Sequence, residues 1–234
     1  MSALFGKTLY LPPKKPLMTH SRRISFPLLP IMLLTGVLLW MATGCAHKDK
    51  SEPLHTVLYD TTGLRNGDLL FRTGHGYESR VVTNLSAGNF SHIGIAYHDG
   101  KQWCVVHAVP GEAAKGEPEY LKCEPVGEFF RPDRAKAGAR ARVNCGDSIA
   151  DVASQHALQL VQRKVLFDNH YDLDDTSTLY CTELVRLIFA DCGIDLCEDR
   201  WHRVPIHTNG PVVFPEDIWN SPLLTDKIIF ENQY

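Results

Sequence analysis

Two short apolar runs flank a tight-turn signal in the middle of the chain, and they limit the fold more than any other feature. Ser91-His92-Ile93-Gly94-Ile95-Ala96-Tyr97 and Trp103-Cys104-Val105-Val106-His107-Ala108 are each the length of a strand, with Asp99-Gly100 between them. Asp-Gly tolerates the positive φ that a tight hairpin turn requires, so the pattern predicts an antiparallel hairpin over 91–108. Alternation puts Ser91, Ile93 and Ile95 on one face and His92 and Gly94 on the other. His92 and His107 lie about equally far from the turn on facing strands, which makes them near neighbours. A strand packed on one side, with a His and a Gly on the other, suits the wall of a cleft.

The rest of the body follows the same logic. Gly67-Asp68-Leu69-Leu70-Phe71 reads as a turn leading into a short buried strand, with further strands near Tyr120–Pro125 and Ala139–Val143. Asp147 or Ser148 caps a helix whose apolar positions Ile149, Val152, Ala153, His156, Ala157, Leu160 and Val161 follow helical spacing. A second helix starts near Cys181, buries Leu184, Val185, Ile188 and Phe189, and ends at Gly193. An antiparallel sheet packed against helices is an α+β fold.

Charge separates the N-terminus from this body. Residues 1–44 hold five basic side chains (Lys7, Lys14, Lys15, Arg22, Arg23) and no acidic ones, whereas the rest carries 19 basic against 27 acidic. A body that acidic is a poor match for nucleic-acid phosphates. From Ile24 to Ala46 no residue is charged, and Leu, Ile and Met dominate directly after Arg22-Arg23. A basic flank, an apolar run and then small residues is the layout of a secretory signal, which can open at Met18. The competing reading is an uncleaved membrane anchor, since about 20 apolar residues span a bilayer. Both put the body outside the cytoplasm.

A nucleophile is suggested further on. Cys181 stands at the start of the second helix, after Thr176, Ser177 and Thr178. Helix N-terminal amides and the dipole favour anions, so this position is expected to lower a thiol pKa and to supply oxyanion donors. A thiolate also needs a base held by a third group. By spacing alone two readings stand, a Cys–His site on His92 and His107, or a structural His and a packed Cys.

Resemblance adds to both ends of the chain. Ala42-Thr43-Gly44-Cys45 resembles the lipobox of bacterial lipoproteins, which implies a signal peptide over 1–44, lipidation of Cys45 and a polar tether over 45–62. Ala46 after that Cys implies the outer membrane, facing the periplasm. In the body, Gly67-Asp68-Leu69-Leu70-Phe71, Ser91-His92-Ile93-Gly94-Ile95 and Val105-Val106-His107-Ala108, followed by Tyr180-Cys181-Thr182-Glu183-Leu184-Val185, resemble NlpC-type papain-like cysteine hydrolases. The Cys motif comes after the His strands, as in the circularly permuted YiiX/YaeF-like branch. Phe214-Pro215-Glu216-Asp217-Ile218 is similar to a late motif of that branch. The implied hydrolase domain is 63–234.

The resemblance implies Cys181 as nucleophile, His92 as general base and His107 as the group that orients His92. Tyr180 would line the oxyanion site, Asp68 would order its turn, and Glu183 would be an internal bridge or pocket wall. The implied chemistry is acyl transfer from an amide or ester through a thioester on Cys181, with no cofactor and no metal. Cell-wall peptide is the expected amide substrate. The alternatives are a lipid acyltransferase or thioesterase on the same site and a non-catalytic binding lipoprotein. Pocket walls are expected from 74–90, 109–135 and 198–215, with a mobile loop at Gly74-His75-Gly76-Tyr77. Cys104 with Cys123 and Cys192 with Cys197 could pair in an oxidising compartment. The five-residue spacing of Cys192, Cys197, His202 and His207 is not a common zinc pattern.

Overall fold

The computed structural model describes residues 54–198, 200–205, 208 and 210–233. The signal segment with Met18, the lipobox with Cys45, the start of the tether and His207 lie outside the described residues. In chain order the elements are β1 (Thr56–Leu58), β2 (Leu69–Thr73), α1 (Tyr77–Ser86), β3 (His92–His98), β4 (Trp103–His107), β5 (Lys122–Pro125), α2 (Val126–Phe129), β6 (Ala137–Val143), α3 (Asp147–Gln162), β7 (Leu166–Phe167), β8 (Thr178–Leu179), α4 (Cys181–Asp191), α5 (Pro215–Trp219), β9 (Leu224–Ile229) and β10 (Glu231–Gln233). Among the described residues no helix is long and apolar enough to cross a membrane.

Six strands form one antiparallel sheet in the order β5-β4-β3-β2-β6-β9. Every residue of β2 is buried, so that strand needs cover on both faces. On one face Leu69, Phe71, Ile93, Ile95 and Val106 pack against α3 and α4. The other face carries Leu70, Ala96 and Val105, covered by Val126, Phe129 and Phe130 of the α2 region and by Phe230. The α+β architecture and the strand positions match the expectation from sequence.

Four local expectations are corrected. The hairpin does not turn tightly at Asp99-Gly100. His98 pairs with Trp103, leaving a four-residue loop in which Asp99 Oδ1 accepts the Lys101 and Gln102 N–H groups, both at 2.8 Å. On α3, Ala153, Ala157 and Leu160 are buried, but Ile149 and Val152 are exposed, because the sheet covers a narrower stripe than the apolar positions suggest. The stretch 54–62 is not all tether: β1 pairs with β10, and Val57 is buried in the second core. The segment expected as a mobile loop leads into α1 at Tyr77. This helix escapes a sequence reading because it buries none of its residues and begins at Gly76 with no side-chain cap.

All six described cysteines are free thiols, so neither expected disulfide is present. Cys104 stands opposite Pro125 and Cys123 opposite Val106, a diagonal placement, while Cys197 is sealed in the main core.

Asp68 does order the turn into β2. It is 3% exposed, accepts the Arg65 N–H at 2.9 Å, and takes Nε and Nη2 of Arg142 at 2.9 and 2.8 Å. Removing it leaves the Arg65 N–H and Arg142 Nε without their acceptor, although Arg142 keeps Asp226 and the Gly63 carbonyl. Asp68→Ala is expected to cost about 3 kcal/mol of stability in a urea titration.

Candidate active site

Cys181 is the first residue of α4, and the residue before it decides what surrounds the sulfur. Tyr180 is extended (φ −94°, ψ 174°), and the first helical bond runs from Leu184 N–H to Tyr180 O at 2.9 Å. The N–H groups of Cys181, Thr182 and Glu183 therefore have no helical acceptor. Those of Cys181 and Thr182 face the sulfur, joined by the Ile93 N–H from β3. This last contact places the thiol beside the backbone of the residue that follows His92.

The expected depression of the thiol pKa is not what results. Burial pushes the Cys181 thiol up to about 11, and the amides around the sulfur offset only part of that effect. His92 moves the opposite way, held well below the ordinary imidazole value by burial and then by Arg72, His107 and Lys122. A raised thiol and a lowered imidazole are both uncharged near neutral pH.

The two histidines meet through a gap in the side-chain layer. With Ile95 opposite Val106, residue 94 stands across from His107 and His92 lies one pleat further along. This register differs from direct opposition of the two histidines. Their contact survives because Gly94 fills the place between them with no side chain, and His92 Nε2 lies 2.8 Å from His107 Nδ1. A Cβ at Gly94 would run into Val105 Cγ1 and sit 2.9 Å from Val106 O and 3.0 Å from His107 Cβ. The Phe129 ring lies against both imidazoles, with centroids 5.6 Å from His92 and 5.2 Å from His107.

Behind His107, which is fully buried, lies a charged layer that sequence reading missed. His107 Nε2 is 3.1 Å from Glu124 Oε1, a close approach short of good hydrogen-bond alignment. Burial lowers the His107 pKa, partly countered by Glu124. For Glu124, burial pushes the carboxyl up, but His107 and Arg134 overcome it and hold the group at about 2. Arg134 Nη1 reaches Glu124 Oε2 at 3.0 Å and Glu112 Oε2 at 3.2 Å. Glu112 in turn takes Arg72 Nη2 at 2.5 Å, and the Arg72 guanidinium lies over Phe129 at 4.7 Å. The available signal was alternation on β5, which puts Glu124 on the face of Val105 and His107 once β5 is paired with β4.

Cys181 and His92 open onto one cavity of about 720 Å³ at the end of the sheet where β3 begins and β4 finishes. Its walls come from 74–76 and α1, from 108–113, from Arg131, Asp133 and Arg134, and from Thr208 and 212–215, all but Ala108 within the expected stretches, together with Phe167 and Tyr171. Apolar side chains such as Val81, Val82, Leu85, Val109, Val212 and Phe214 make up much of the lining.

Tyr180 lines this cavity, with its hydroxyl accepting the Val213 N–H at 3.1 Å. Burial raises its pKa. Thr182 Oγ1 donates to Val213 O at 2.6 Å, so one residue of the 212–214 segment is held from both sides by the start of α4. In the late motif, Glu216 accepts the Asn89 N–H at 2.8 Å just before β3, and Asp217 accepts the Phe214 N–H at 2.7 Å. Residues 213–217 thereby clamp the Cys181 helix to the approach of the His92 strand. Glu183 is not a pocket wall: it is buried, accepts the Tyr180 N–H at 3.3 Å, and is pushed up to about 8 by burial.

Among the described residues no group of three or more His, Cys, Asp or Glu is placed to hold a metal ion, and His202 Nε2 instead meets Asp217 Oδ1 at 2.8 Å. The His pair gives a direct test of the geometry. Gly94→Ala should destabilise the fold by about 1–3 kcal/mol through overpacking. Under conditions where it stays folded, it should also lose the His92–His107 contact, read as altered imidazole nitrogen shifts.

Comparison with known proteins agrees with this architecture. A structure titled as the crystal structure of metalloprotein yiiX from Escherichia coli O157:H7 aligns with a TM-score of 0.57 at 17% identity, over 71% of this chain and 97% of that one. At that identity the likeness is one of fold. A search of curated proteins finds no match. Residues 63–226 match the family described as permuted papain-like amidase enzyme, YaeF/YiiX, C92 family. With the fold, the order of the motifs and this match in agreement, the chain belongs to the permuted papain-like amidases, a family that supports a hydrolase.

Proposed function

We propose that this chain is a lipid-anchored envelope cysteine amidase in which Cys181 attacks the carbonyl, His92 is the general base and His107 orients His92. The observation that carries the reading is that Cys181 and His92 share one cavity while His107 engages one nitrogen of His92 at 2.8 Å. Nδ1 of His92 is the nitrogen left for the thiol proton. Because thiol and imidazole are neutral at rest, proton transfer accompanies attack instead of preceding it. In this reading the Cys181 and Thr182 N–H groups, turned toward the sulfur, donate to the developing oxyanion. His92 then protonates the leaving amine, and water releases the thioester from Cys181.

Anchoring rests on the sequence. A signal over 1–44 ending at a lipidated Cys45 would tether the body to the outer membrane, facing the periplasm, within reach of cell-wall peptide. A second reading, acyl transfer or thioester cleavage on lipid, is favoured by the apolar lining of the cavity, which suits an alkyl chain. Incubation with cell-wall fragments and with phospholipid vesicles separates the two: release of free amine supports the first, and acyl exchange supports the second. Turnover of neither, with Cys181 unmodified, would leave a binding lipoprotein.

The charge states set the pH profile. A base must be neutral, so activity is lost only as pH falls through the lowered His92 pKa. The acid limb of kcat/KM is therefore expected below pH 6.5, with a plateau above it. Cys181→Ala should abolish turnover, and His92→Ala should reduce kcat by about 10²-fold or more. An acid limb near pH 8.5 that persists in His92→Ala would sink the general-base role. Mass-spectrometric mapping of iodoacetamide labelling should show Cys181 modified faster in wild type than in His92→Ala.

A further inference from the structure

We propose that Glu124 is a positioning residue that fixes the tautomers of both histidines, so that Nδ1 of neutral His92, the nitrogen not engaged by His107, is the proton acceptor. This rests on the catalytic reading above and extends it by one residue.

The order of protons is set from the charge outward. Arg134 Nη1 lies 3.2 and 3.0 Å from the two carboxylate oxygens of Glu124, so the group stays ionised. An ionised carboxylate 3.1 Å from His107 Nε2 favours a proton on that nitrogen, because a lone pair there would face negative charge. With Nε2 protonated, neutral His107 has its lone pair on Nδ1. That lone pair, 2.8 Å from His92 Nε2, requires the proton of His92 to sit on Nε2. His92 Nδ1 is then the acceptor, and the thiol proton of Cys181 has a place to go. On transfer the S–H bond breaks, the Nδ1–H bond forms, and the imidazolium keeps its Nε2–H toward His107.

The surroundings would not set this order without Glu124. The charged and titratable groups nearest the two rings are Arg72 on β2, Lys122 on β5, Glu112 and Arg134 from the loops, and Glu124 itself. Glu112 is committed to Arg72, Lys122 and Arg134. Among the described residues, Glu124 is the carboxylate within ion-pair distance of His107.

Glu124→Gln keeps the shape and reverses the relay. The Gln oxygen is drawn to Arg134, which turns the NH₂ toward His107 Nε2. That nitrogen becomes an acceptor, the proton moves to Nδ1, and His92 is forced to carry its own proton on Nδ1, where it cannot act as a base. The test uses the whole chain in detergent micelles with ¹⁵N-labelled histidine, read by long-range ¹H–¹⁵N correlation, and p-nitrophenyl butyrate as the acyl donor. Wild type should show Nε2–H on both His92 and His107. Glu124→Gln should show Nδ1–H on both, with kcat for acylation reduced about 10²- to 10⁴-fold and KM changed less than about threefold, the pattern of a lost tautomer. Glu124→Asp should keep the wild-type tautomers and recover part of kcat.

The proposal is overturned if wild-type His107 carries its proton on Nδ1, a result that stands even where Glu124→Gln does not fold. It is equally overturned if Glu124→Gln folds with both tautomers and kcat unchanged. The catalytic reading fails separately: if Cys181→Ala still turns over the ester, Cys181 is not the nucleophile, whatever the tautomers are.

Discussion

Much of this molecule is arranged around a 2.8 Å contact between two buried imidazoles on one face of the sheet. Buried polar groups need partners, and the cost of leaving either ring unpaired would be on the order of 1–3 kcal/mol. Gly94 supplies the space, Phe129 covers both rings, and the β3–β4 register sets their separation. The charged layer of Arg72, Glu112, Glu124 and Arg134 closes the back of the pair. Only His92 of the two rings reaches the cavity.

Burial decides the resting chemistry. A helix N-terminus alone would favour a thiolate, yet desolvation at Cys181 is larger and keeps the thiol protonated. The same effect, reinforced by the positive charge of Arg72, keeps His92 neutral. The helix-end amides offset part of the desolvation at Cys181 without overcoming it. The clamp through Val213 and Glu216 connects the helix bearing Cys181 with the strand bearing His92.

Strands with apolar alternation were legible because each side chain reports its own burial. Ile93, Ile95, Val105 and Val106 mark the hairpin, and Leu184, Val185, Ile188 and Phe189 mark one face of α4, as found. Helix α1 was not legible, since Tyr77–Ser86 buries nothing and serves as a cavity wall. The four-residue loop after His98 was also missed, because Asp99-Gly100 suits several loops and only strand pairing selects one. Cys181, His92 and His107 stood out through motif order, whereas Glu124 and Arg134 carry no local mark of function.

The sequence by itself determined the α+β class, the order of His strands before the Cys helix, and the residue types able to do acyl-transfer chemistry. Periodicity, turn residues and each motif are read locally, and the order of the motifs is read directly along the chain. Tertiary structure alone decided that the two histidines touch across a glycine, that Glu124 stands behind them, and that burial around Cys181 outweighs the pull of the helix-end amides. Each of these depends on what is packed around a group, since pairing register and desolvation are set by residues distant in the chain.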